Sequence, residues 1–195
     1  WKMLAQSYFK NEEWQNSINA FESYLRIVPQ GSPEAAESEK IMAAAMFKIA
    51  EGREKTGNYA EAAGAYLFIY KRLPKNDIAD KAIFNAANAY QKGGDFDNAA
   101  RTFIMVVDAF PNSALKIQTI SRAAACYIEK KDFRAAAGMY LEVPRRYPDN
   151  KEAIPSIGRA ADMFEKERML IEAAKMWELV YEKYPRKEES AQSLY

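Results

Sequence analysis

Between Ile83 and Val107 small and apolar residues recur at intervals of three and four. Ile83, Ala86, Ala87 and Tyr90 form one set, and Phe96, Ala99, Ala100, Phe103, Val106 and Val107 form the next. A helix turns once in about 3.6 residues, so each set makes a single stripe and the segment predicts two amphipathic helices. Gly93 and Gly94 stand between them, where a helix end often needs a left-handed or otherwise unusual backbone. Asp95 is placed to cap the second helix by accepting from its free amide hydrogens, and Asn58 and Asp132 hold the same place in neighbouring segments. Pro111, without an amide hydrogen, ends the pair.

The pattern returns every 37 residues. Pro74, Pro111, Pro148 and Pro185 fall in register, as do Ala62, Ala99, Ala136 and Ala173, and the large residues Tyr66, Phe103, Tyr140 and Trp177. Tyr59, Phe96, Phe133 and Leu170 flank the turns in the same way. A weaker copy carries Trp14, Ser17, Phe21 and Pro29, but Pro29 and Pro74 are 45 residues apart, so eight residues are inserted there. Ser32 and Pro33 read as a helix start, and the insertion is expected to lengthen the first helix of the second repeat by about two turns. Pro144 sits inside a second helix, where a kink or early end is expected. The repeats are placed at about 1–31, 33–76, 78–113, 115–150 and 152–187, with 188–195 starting a further helix. They make a single array, expected to be a fragment of a longer chain. Alternating small and large columns are what interdigitated packing requires: the alanines lie where helices cross, and the rings fill the space beside them.

These columns resemble the tetratricopeptide repeat family, whose pattern runs large, Leu, small and Tyr on the first helix, then Ala, aromatic, small and Pro. Ile83, Ala86, Ala87, Tyr90, Ala99, Phe103, Val106 and Pro111 match it, as do Ile120, Ala123, Ala124, Tyr127, Ala136, Tyr140, Val143 and Pro148. The last repeat offers Ile157, Ala160, Ala161, Phe164, Ala173, Trp177, Val180 and Pro185. In the second repeat Arg53 replaces the aromatic of the first helix, and in the first repeat Ser17 replaces the alanine of the second helix. The resemblance implies an all-α fold: a right-handed superhelical α-solenoid of five helix-turn-helix units plus the start of a sixth. The period exceeds the family's usual 34 residues. With the "YP" and "FP" endings it is similar to bacterial cell-envelope members, including outer-membrane assembly lipoproteins and periplasmic Tol-Pal coordinators. That likeness implies a periplasmic or outer-membrane-associated location.

Composition narrows the chemistry. Lys and Arg number 28 against 27 Asp and Glu, a formal charge of +1, so no net field favours nucleic acid or an acidic membrane surface. Apolar stretches such as "AYLFI" fall far short of the roughly 18 residues a membrane-spanning helix needs. Histidine is absent and Cys126 is the only cysteine, which removes an internal disulfide, a thiolate zinc cluster and any His base. Cys126 lies in "AAACY" and reads as a small buried hydrophobe. Asp95 and Asp97 are better explained by capping than by paired-carboxylate catalysis. Gly93 and Gly94 follow a helix and lack the Lys-Ser/Thr of a phosphate loop. No catalytic residue, cofactor or metal is therefore expected.

The family usually binds a peptide or partner helix on a concave face lined by first helices. Carried onto this chain, that groove takes Phe47, Lys48, Glu51 and Lys55, then Lys81, Phe84, Asn85, Asn88 and Gln91, then Arg122 and Ile128, and finally Arg159, Asp162 and Glu165. Phe47 and Phe84 beside a row of Lys48, Asn85, Arg122 and Arg159 would suit an extended peptide: amides for its backbone, rings for apolar side chains, cations for carboxylates. The competing reading is that the rings pack between helices and the charges are solvated. The family's carboxylate clamp for chaperone tails is broken, because Phe84 and Pro155 stand where lysines belong and Arg122 replaces an Asn. The expectation is a non-catalytic scaffold for a protein or peptide partner, with no nucleic acid and no membrane span. The alternatives are a self-association module of a larger multidomain protein, acting through the end helices, and an enzyme-associated or RNA-binding helical repeat.

Overall fold

The computed structural model describes residues 1–184, which hold ten helices and no strand. They fall into two lobes. The first, residues 1–95, contains α1 (Lys2–Lys10), α2 (Trp14–Leu25), α3 (Pro33–Lys55), α4 (Tyr59–Arg72) and α5 (Ala79–Lys92). The second contains α6 (Phe96–Ala109), α7 (Lys116–Glu129), α8 (Phe133–Arg146), α9 (Ala153–Lys166) and α10 (Leu170–Lys183). Within each lobe every helix packs on the next in chain order, the arrangement of an α-solenoid built from helix-turn-helix repeats. Pro185, Leu194 and the further helix expected at 188–195 lie outside the described residues.

The alternating columns account for the packing. Ala62, Ala99, Ala136 and Ala173 are all buried, and Phe21, Tyr66 and Phe103 are among the largest fully buried side chains. Tyr140 and Trp177 are half-buried in the same column. Trp177 needs room that its facing helix supplies: a Cβ built on Gly158 would stand 3.1 Å from the indole. The first-helix column that ends in Gly158 reads Phe47, Phe84, Ser121, Gly158 at the 37-residue spacing. At its other end Phe47 meets Tyr66 edge-on, with ring centroids 4.9 Å apart. A smaller residue on one helix thus accompanies a larger one on its partner.

The turns between paired helices share one geometry. Glu12, Gly57, Gly94, Lys131 and Arg168 all have φ between 58° and 79°. In each turn that residue's amide donates to the carbonyl three back, and the following amide reaches five back, as Gly94 does to Gln91 and Asp95 to Tyr90. Gly94 is therefore the residue that needs the left-handed backbone, whereas Gly93 is right-handed. Asp132 caps α8 by accepting from Ala135 at 2.9 Å, and Ser32 caps α3 by accepting from Ala35 at 3.1 Å, with Pro33 in the first turn. Asn58 departs from expectation: its side chain makes no capping bond, and only its backbone carbonyl serves α4.

Two expectations concern helix length. α3 runs for 23 residues against 14 in α5, so the insertion does extend the first helix of the second repeat. Pro144 does not end α8 early, since the helix continues to Arg146 with Pro144 buried inside it. So near the C-terminus, the proline removes a single ladder bond, and the last turn still closes as Tyr147 donates to Val143 at 2.8 Å.

Candidate functional site

In the first lobe the residues expected to line a groove lie on α3 and α5. Lys48 and Lys81 are exposed, while Glu51, Asn85, Asn88 and Gln91 are partly open to solvent. The alanines at 82, 86 and 89 of α5 are buried, so its polar row is the face left outside. Lys48 and Glu51 pair at 2.8 Å one helical turn apart, and that partner holds the Lys48 ammonium above its ordinary pKa. Both line an open cavity of about 770 Å³ together with Glu54, Lys55, Tyr59 and Lys92. Lys92 reaches from α5 to Glu54 of α3 at 2.5 Å, tying successive first helices across the cavity. Sequence reading named Glu54 among the groove charges but missed Tyr59 and Lys92 there, although Lys92 follows Lys55 by one period and could have been found that way.

The two phenylalanines require a correction. Phe84 is only 9% exposed and Phe47 is half-buried against Tyr66, so both rings belong to helix packing. The expected row of open rings is not formed by these residues. Tyr66 itself donates to Glu54 at 3.1 Å, and burial reinforced by the Glu54 charge pushes its phenol well above the ordinary range.

In the second lobe Arg122 on α7 and Asp162 on α9 are exposed, and Arg159 is partly open. Arg159 is engaged by its own neighbours: both terminal nitrogens lie 3.3 Å from Glu152, and the guanidinium stands 6.0 Å from the Tyr140 ring centre. Cys126 is fully buried, and burial pushes its thiol up to about 11, which keeps it protonated at neutral pH. Among the described residues no group of three His, Cys, Asp or Glu side chains gathers as a metal site, and no helix is long and apolar enough to cross a membrane.

Part of the chain matches a known repeat model. Residues 81–113 and 120–150 match the tetratricopeptide repeat model. The third and fourth repeats thus carry the family pattern in the columns described above, and tetratricopeptide repeats generally mediate protein–protein interactions. No curated protein matches the chain. Similar solved structures include the nearly identical tetratricopeptide-like repeats of a putative kinesin light chain from Podosopora anserina, at 15% identity. The match covers 96% of this chain and 94% of that one, with a TM-score of 0.46. BtubC (BKLC) from P. vanneervenii is similar at 16% identity, 97% and 80% coverage and a TM-score of 0.45. The TPR2AB domain of yeast Sti1, solved in complex with a pHSP90 chain, is similar at 15% identity, 98% and 81% coverage and a TM-score of 0.34.

Proposed function

We propose that this chain is a non-catalytic scaffold that holds an extended peptide or partner protein against the polar faces of its first helices. The observation that carries the reading is the open cavity of about 770 Å³ on the first lobe, lined by Lys48 and Glu51, two of the residues that the resemblance assigns to a groove. Paired charges and amides there can exchange their mutual contacts for a peptide's carboxylates and backbone, a mode that depends on hydrogen bonds more than on apolar area. Reversing charge at exposed sites tests this without disturbing the core. Lys48→Glu combined with Lys81→Glu is expected to cut partner capture from source-cell extract by tenfold or more, with the melting temperature unchanged. Equal capture of every partner by parent and variant would defeat the reading.

We also infer a bacterial cell-envelope setting, periplasmic or at the outer membrane. It is supported by the 37-residue period and the "YP" and "FP" endings. Recovery of the native protein with the cytoplasmic fraction of its source cells would overturn it.

A second reading is favoured by one observation. Trp1, Met3 and Leu4 of the first lobe and Leu170, Ile171 and Tyr181 of the second are exposed, at 42–85% of their surface, giving the end helices apolar faces for self-assembly. Sedimentation across a hundredfold concentration range separates the two, since assembly through these faces raises the apparent mass and scaffolding alone does not.

A further inference from the structure

The repeats place an aromatic at the last inward position of the first helix: Tyr8, Tyr90, Tyr127 and Phe164. Each of these rings packs against the apolar core of its lobe. In the second repeat that position holds Arg53, which is exposed and reaches the Glu61 carbonyl oxygen only at 3.4 Å. A guanidinium cannot fill an apolar space as a ring does, because its donors need water or an acceptor. The space is accordingly open. Between α2 and α4, with α3 as its floor, lies a groove of about 530 Å³ whose apolar lining is Ile18, Met46, Ile49, Ala65 and Phe68, with Gln15, Arg53 and Glu61 as the polar side chains at its edge. Gly64 widens it, since a Cβ there would meet nothing within 4 Å. Phe68 is half exposed on its wall.

This groove is separate from the polar cavity. At about 100° per residue, Met46, Ile49 and Arg53 lie on one side of α3, and Lys48, Glu51 and Lys55 on the other. We propose that the groove is a second docking site, and that it takes an aromatic side chain of a partner segment with a carboxylate beside it. The ring would occupy the space that tyrosine or phenylalanine fills in the sister repeats. The carboxylate would meet Arg53, whose planar fork of donors suits that group.

The test uses 3-phenylpropionate as probe, with 3-phenylpropionamide as its uncharged control, followed by methyl NMR of Ile18, Ile49 and Met46. Saturable shifts of these methyls are expected at millimolar probe, with the acid binding roughly two- to fivefold tighter than the amide, the range of an exposed ion pair. Arg53→Tyr restores the ring of the sister repeats and is expected to abolish the shifts and raise the melting temperature. Gly64→Met, at a site with open space, blocks the groove by a second route and is also expected to abolish them. Shifts that persist in both variants, or no groove shift at tens of millimolar probe, would overturn the proposal. So would concentration-dependent broadening of the same methyls without probe, which would assign the groove to a second copy of the chain.

Discussion

The turn residues show how position, more than identity, sets backbone conformation. Lys131 and Arg168 adopt the left-handed geometry that Gly57 and Gly94 adopt at the same place. An L-residue pays roughly 1–2 kcal/mol for that conformation, partly offset by the greater freedom glycine loses on folding. Lys131→Gly is therefore expected to stabilise the protein by about 0.5–1 kcal/mol, read as a shift of the urea midpoint at constant slope; a lower midpoint would refute the strain. The glycine pair was legible in the sequence as a helix end. The lysine and arginine in the same column were not, because nothing in a long charged side chain signals a positive φ. Only the constant spacing could have pointed to them. Cys126 was legible, since an alanine-rich neighbourhood leaves a thiol little else to do than pack.

At the scale of the helix pair, the facing columns decide which substitutions are tolerated. Gly158 lies 3.1 Å, from an added Cβ, to the Trp177 ring. Gly158→Leu should overpack that crossing and cost about 1–3 kcal/mol, while Trp177→Leu in the same background should recover part of the loss. Thermal unfolding of the two variants checks both halves of the claim, and equal stability of Gly158→Leu and the parent would remove it. The same columns decide which of the candidate residues read from the sequence stand open to solvent. Lys48, Lys81, Arg122 and Asp162 were placed on open faces and are exposed there. Phe47 and Phe84 were assigned to the groove by carrying over the positions that line it in the family the repeats resemble. Whether a ring on the border of a stripe turns in or out depends on the volume opposite, and that is a property of two helices read together. Pro144 shows the same dependence: its effect on α8 is set by how few ladder bonds remain beyond it, a matter of where the helix ends.

Over the described residues, the periodicity made the order of the helices legible in the sequence, because each repeat buries its stripe only against its neighbours. A pH dependence also belongs to this scale. Burial raises the Cys126 thiol to about 11 and lifts the phenols of Tyr66, Tyr147 and Tyr184. The unfolded chain releases its thiol proton near pH 9, while the folded protein keeps it. The stability is therefore complete below pH 9 and falls as pH rises towards 11, by about 2 kcal/mol for Cys126 alone. Urea titrations at pH 8 and pH 10.5 measure the loss, and Cys126→Ala should flatten it; a slope identical to the parent's would show the thiol to be irrelevant. One further consequence comes from the shared turn. Because the turns within all five helix pairs adopt one conformation whatever residue occupies them, a cut made there and rejoined one module later would leave every surviving turn of this kind with its original shape, so evolution can alter the reach of such a molecule by gene duplication without redesigning a joint.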